Sequence, residues 1–263
     1  MTPGRSIALI GSLRLVDRMR GATPHPKRKL RAIGLGRKPG SGEEAGEEAG
    51  QSEQGRNRMA SKETKARIIE TALTLFNEHG SANISTNRIA TEAGISKGNL
   101  NYHYSNKKEI ILDIFSDIRS EIEGGWSGDH LVPTLEHMEF MFLRQLRLTW
   151  RYRFFYREMV NLIKDDPLLG KRFNELRSRR RVALKQFLTS LADDGRMVLP
   201  ESEEELEHFM TSTWLLSEHW LNYTDSLGRQ VDEAALMRGC DVLMTMVRPY
   251  LKMLEAAECA AVA

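Results

Sequence analysis

The chain has 263 residues, 41% hydrophobic and 28% charged, with 2 cysteines and a formal net charge of +2. That composition suits a globular protein and excludes a disulfide scaffold, a collagen-like repeat and a heptad array. No window approaches the roughly 18 apolar residues that span a bilayer, so no membrane partner is expected, and Cys240 and Cys259 read as reduced thiols in a cytoplasm.

The charge is unevenly spread. Residues 1–58 carry +6, residues 59–108 carry +3 and residues 109–263 carry −7. A modestly basic segment beside an acidic bulk points to a local anionic partner such as a phosphate backbone. Residues 1–58 hold few large apolar side chains, with a Gly- and Glu-rich stretch over 34–55. They read either as a disordered tail or as translated sequence upstream of a start at Met59. From Met59 onward the balance is −4.

A helical pattern opens at once after Met59. Ser61 suits an N-cap, Glu63 the first turn, and Ile68, Ile69, Ala72, Leu73 and Phe76 repeat at helical spacing until Gly80 stops the run. This predicts a helix over 62–79. Ser85 caps a second, two-turn helix, Gly94 breaks it, and Ser96 caps a third helix over 96–103. Two short helices joined by a tight turn describe a helix-turn-helix, whose second helix leads into a DNA major groove with its N-terminal residues. Lys97 can reach phosphate or guanine, Gly98 permits close approach, and Asn99 can pair with adenine. Tyr102, His103 and Lys107 can hold phosphates and set the register, with Ser85 and Thr86 at the start of the preceding helix. By spacing alone, an ordinary three-helix packing unit fits equally well.

The segments Thr64–Gly80 and Ser85–Glu109 resemble the DNA-binding head of the TetR family of bacterial transcriptional regulators. In that family an aromatic usually stands where this chain has Asn101. Tyr102, His103 and Tyr104 keep the pattern that follows, so Asn101 either reads a base or leaves a phosphate contact unmade. The resemblance implies double-stranded DNA as a partner, homodimerisation, and a small-molecule effector bound by the remainder of the chain.

The rest of the sequence predicts helices over 106–123, Pro133–Trp150, Tyr152–Ile163, Asp165–Ala192, Glu203–Leu227 and Val231–Glu255, the last kinked at Pro249. The expected fold is all-α, with about nine helices. The expected division is a tail over 1–58, a helix-turn-helix domain over 59–106, a regulatory and dimerisation domain over 107–255 and a disordered terminus over 256–263. The resemblance implies that the helix over 106–123 links the two halves and that the last two helices build the dimer interface, for which Phe209, Thr213, Trp220, Leu243, Val247 and Leu251 are candidates. By pattern alone the aromatic-rich stretch Trp150–Met159 reads as core; the resemblance implies an effector pocket, for which Phe140, Trp150, Phe154, Tyr156, Met159 and Trp214 are candidates, with Arg151, Arg153, Arg157 and Asn161 as anchors. The basic run Arg177–Arg181 reads as a solvated face or as a seat for a phosphate-bearing effector. No Gly-rich phosphate loop, nucleophile elbow or Cys/His metal spacing occurs, so no catalytic residue, metal or cofactor is expected. The expected function is a ligand-responsive repressor on a palindromic operator. The alternative is a helical ligand-binding or scaffolding protein whose head no longer binds DNA.

Overall fold

A computed structural model of the chain describes residues 44–126 and 134–252. Among them are nine α-helices and no strand, as the all-α expectation requires. The helices are α1 (Glu44–His79), α2 (Thr86–Glu92), α3 (Lys97–His103), α4 (Lys107–Trp126), α5 (Leu135–Arg151), α6 (Arg153–Asp165), α7 (Pro167–Asp193), α8 (Glu203–Ser226) and α9 (Glu233–Val247), followed by a 3₁₀ turn over Arg248–Tyr250.

Local signals set most boundaries. Gly80 takes φ +79° just past α1, a left-handed conformation that suits glycine, and its N–H donates to Phe76 at 2.9 Å. Ser85 accepts from the Arg88 amide and Ser96 from the Asn99 amide, so both short helices carry the expected caps. Asp166 caps α7 ahead of Pro167, Ser202 and Glu205 form a capping box on α8, and Asp232 caps α9.

Two boundaries differ from expectation. The segment 44–58, expected as a disordered tail or as sequence upstream of a Met59 start, is helical within α1, and Ser61 lies inside that helix rather than capping it. Ala, Glu, Gln and Arg dominate there, and all favour helix. At the other end α9 stops at Val247, because Pro249 cannot supply the amide that another turn needs. The chain instead turns back, and Met197 and Leu251 form an isolated antiparallel bridge. Residues 1–43, 127–133 and 253–263, with the tail, the Pro133 start and the C-terminus expected there, lie outside the described residues.

Packing joins the first helices to the next ones. Ile68, Phe76, Ile89, Leu100 and Ile110 share one buried cluster with Phe115, Phe154, Phe155 and Phe173. The rings of Phe76 and Phe154 lie 5.1 Å apart, and those of Phe115 and Phe155 5.5 Å. The expected division at residues 106 and 107 therefore falls inside a continuous core. A second cluster unites α5, α7, α8 and α9 around Leu143, Leu191, Met210 and Val247.

Candidate functional site

The exposed end of the first helices comes first. α3 buries a single side chain, Leu100. Lys97, Gly98, Asn99 and Asn101 are exposed, and Tyr102 is 81% exposed. His103 is half-buried, with its ring edge-on to Tyr102 at 5.2 Å. A helix that commits one residue to the core and presents the rest as hydrogen-bonding groups is suited to reading an external polar surface. Ser85 is exposed and Thr86 half-buried at the start of α2. Asn101 is exposed, so an aromatic is not needed there to fill the core.

Lys107 behaves differently from the expectation. Its ammonium donates to the carbonyls of Ser81 at 2.5 Å and Ile84 at 3.1 Å, the turn between α1 and α2. Lys108 donates to the Asp165 carbonyl at 2.7 Å. Both cations therefore tie the chain to itself. The turn is gripped from the other side by Glu158 of α6, which accepts from the Ser81 amide at 2.8 Å and from its hydroxyl. Asn77 of α1 bridges to α5 and α6 through the Arg151 carbonyl and the Phe154 amide.

A cavity of about 60 Å³ lies between α4, α5, α7 and α8. Ile122, Met138, Met141, Phe142, Leu148, Leu184 and Phe187 make its apolar wall. Glu121, Arg144, Gln145, Arg180, Thr213, Trp214 and Ser217 add polar groups. Of the residues expected to form a pocket, Trp214 alone lines it. Phe154 is buried in the first core cluster, Tyr156 is buried behind the wall beside Gln145 and Arg180, Met159 packs on the first core cluster, Trp150 packs beside Leu146 and Leu221, and Phe140 faces out. The aromatic stretch is thus core, filling the join between α1, α4 and α6. Its expected anchors are also engaged, Arg151 with Glu121 at 3.0 Å and Arg157 with Asp225 at 2.6 Å, while Arg153 lies over the Trp150 ring.

What sequence reasoning missed on α5 is Met138, Gln145 and Leu148, which line the cavity with Arg180 of α7. The available signal was a polar Gln and Arg on otherwise apolar helical faces. Arg180 donates to Gln145 at 2.9 Å and stands 3.9 Å from Glu218, whose side chain is 2% exposed. Burial depresses the Arg180 pKa and raises that of the Tyr156 phenol beside them. The rest of the basic run pairs with acids across neighbouring helices, Arg179 with Glu123 and Arg181 with Glu207, so it offers little to a phosphate.

α4 touches both regions. Glu121 and Ile122 line the cavity, and Glu121 accepts from the Tyr152 hydroxyl at 2.7 Å. Two turns earlier Asp113 accepts from the hydroxyl of Tyr104, the C-cap of α3, at 2.8 Å and pairs with Lys65 of α1 at 2.7 Å. Asp117 lies between these carboxylates, and burial followed by their charge pushes its pKa up.

The six residues expected at a dimer interface face inward. Phe209, Leu243 and Val247 are buried, and Thr213 lines the cavity. Trp220 donates to the Ala235 carbonyl at 2.9 Å, and Leu251 is held in the bridge to Met197. The outward sides of α8 and α9 instead show Leu215, Tyr223 and Val242.

Comparison with known proteins gives a consistent picture. Residues 126–258 match the TetR model, described as bacterial transcriptional repressor, and residues 68–114 match the model for bacterial regulatory proteins of the tetR family. A TetR-family transcriptional regulator from Marinobacter aquaeolei VT8 is 30% identical, with a TM-score of 0.66 over 75% of this chain and 96% of that one. A transcriptional regulator from Saccharomonospora viridis, solved in complex with choline, shares the fold at 16% identity and a TM-score of 0.59, over 73% of this chain and 100% of that one. An HTH-type transcriptional regulator of Staphylococcus aureus is 38% identical over 82 residues, which is 28% of this chain and 44% of the relative. The chain thus spans less than half the length of the curated relatives it matches.

Proposed function

The chain belongs to the TetR family of bacterial transcriptional regulators, and from that premise we propose that it is a cytoplasmic, ligand-responsive repressor that binds a palindromic operator as a homodimer. The observation that carries the DNA-binding part is the composition of α3, which buries Leu100 and exposes Lys97, Gly98, Asn99, Asn101 and Tyr102. Lys97 and Asn99 read base edges, Tyr102 and His103 hold phosphates, and the Ser85–Thr86 start of α2 meets the backbone. In this reading residues 59–106 are the DNA-binding unit and 107–255 the regulatory one.

The cavity is the effector site. Its volume equals about five water-sized positions, so an effector of drug-like size has to part α4 from α5 and α7. Moving α4 shifts Asp113, and with it the Tyr104 cap of α3 and Lys65 of α1. A population shift between two head spacings then changes operator affinity. No helix among the described residues is long and apolar enough to cross a membrane, which accords with a regulator acting on DNA.

Gel shift on the DNA upstream of the protein's own coding sequence tests this. Asn99→Ala is expected to relax preference at one base position by about 1–3 kcal/mol. Lys97→Ala should weaken operator binding and relax preference at the guanine it reads, by about 1–3 kcal/mol. Binding with no preference over random DNA refutes the repressor reading and leaves a helical ligand-binding protein.

A further inference from the structure

We propose that the cavity selects a short, apolar monocarboxylate, whose anionic end is taken by the guanidinium of Arg180 and the indole N–H of Trp214. This rests on the cavity being the effector site, and it specifies the chemistry of what enters.

Unpaired donors make the first argument. Arg180 Nε and Trp214 Nε1 are both covered and have no hydrogen-bond partner. The Arg180 guanidinium lies 4.8 Å over the Trp214 ring, and both residues line the same cavity. Buried donors without acceptors are costly and uncommon, and they concentrate where a ligand completes them. Two unpaired donors on one cavity wall, one of them charged, suit the oxygens of a carboxylate.

Charge makes the second. The cavity wall contains Arg144 and Arg180 against Glu121. Glu121 is already matched by Arg151 and the Tyr152 hydroxyl. Glu218, behind Arg180, is divided between Arg177 and Arg180 at 3.9 Å each, beyond hydrogen-bonding reach. Arg144 donates to the Glu121 carbonyl, and no carboxylate among the described residues pairs with it. Guanidinium is therefore in surplus at the wall, which favours an anion and rejects a cation. A dianionic phosphate is a poor fit, because Arg179 and Arg181 are held by Glu123 and Glu207.

Shape makes the third. The remaining wall is Met, Leu, Ile and Phe, and methionine adapts to irregular chains. On the outer side of Leu184 and Trp214 lies a groove of about 230 Å³ between α7 and α8. Trp214 and Leu184 form the partition between the two spaces. Turning the indole aside joins them and presents its N–H to the entrant.

The test uses the full chain and three probes of equal length: octanoate, octan-1-ol and octylamine. Isothermal titration should show octanoate binding at one site per chain, about tenfold or more tighter than octanol, with no binding of octylamine. Trp214→Phe keeps the ring and removes the donor, and should erase most of that preference. Arg180→Met combined with Glu218→Gln removes both buried charges together and should reduce octanoate to the octanol level, with helical content by circular dichroism unchanged. Octanol binding as tightly as octanoate, octylamine binding, or no probe binding at all overturns the proposal. Gel shift separates the two readings. Octanoate that binds without releasing the operator leaves the carboxylate site standing and removes the effector role. Release by octanol or octylamine alone keeps the effector role and removes the carboxylate site.

Discussion

The ammonium of Lys107 sits among the carbonyls of the turn that joins α1 to α2, donating to Ser81 and Ile84. A lysine just past a recognition helix suits a phosphate, and its residue type carries no sign of another role. Its partners are backbone oxygens, which leave no trace in sequence. The cap residues were legible because Ser85 and Ser96 act on amides three positions away. Charged hydrogen bonds contribute about 1.5–3 kcal/mol each when their loss strands a partner. Lys107→Met is therefore expected to lower folding stability by about that amount, read from the urea midpoint. It should weaken binding to every DNA sequence while leaving the slope of log K against log salt unchanged. A slope reduced by about one at unchanged stability would instead make Lys107 a phosphate contact.

At the scale of the helix, the crossing of α8 and α9 depends on one missing side chain. A Cβ on Gly239 would lie 2.5 Å from the Trp220 ring and 3.0 Å from Leu146. The indole is fixed there by its bond to the Ala235 carbonyl, so it has little freedom to yield. Gly239→Ala should destabilise the chain by about 1–3 kcal/mol through overpacking. Gly98→Ala is the matched control, since its Cβ would meet nothing closer than Ser96 Oγ at 3.9 Å and helix propensity favours alanine. That variant should fold at least as stably and lose operator affinity if the backbone of α3 approaches DNA there. Equal stability losses in both would dissolve the argument. Helix ends such as Asp166–Pro167 were readable because caps are local, whereas the helix over 44–58 was hidden by a polar composition shared with disordered segments. The aromatic run Trp150–Met159 was legible as apolar, and of its two readings, core and pocket, the packing matches core. Periodicity tells which side of a helix is buried, but the neighbour that buries it is set by tertiary packing.

For the whole molecule, the same ambiguity bears on where the proposed dimer interface lies. α8 and α9 each have more than one apolar stripe, and sequence alone assigned the partner-facing role to Phe209, Thr213, Trp220, Leu243, Val247 and Leu251. Those side chains fill the chain's own interior or its bridge. With the inner stripes assigned, the outer ones are what remain: Leu215 and Tyr223 on α8, two turns apart, and Val242 on α9, which are 50%, 56% and 38% exposed. Large apolar groups on the outward sides of two adjacent helices suit an isologous two-fold contact, in which each chain offers the same pair of helices. Replacing Leu215 and Val242 together with arginine places like charges across that axis. Sedimentation should then give a two-chain species for the natural protein and a one-chain species for the double variant, with helical content unchanged. Operator affinity should fall by about a hundredfold or more, because the second half-site is no longer bound at the effective concentration that a linked partner provides. A double variant that stays paired would place the interface elsewhere, and a natural protein that sediments as one chain would remove the homodimer. A one-chain variant that keeps full affinity would separate DNA binding from dimerisation and leave the palindromic operator without support.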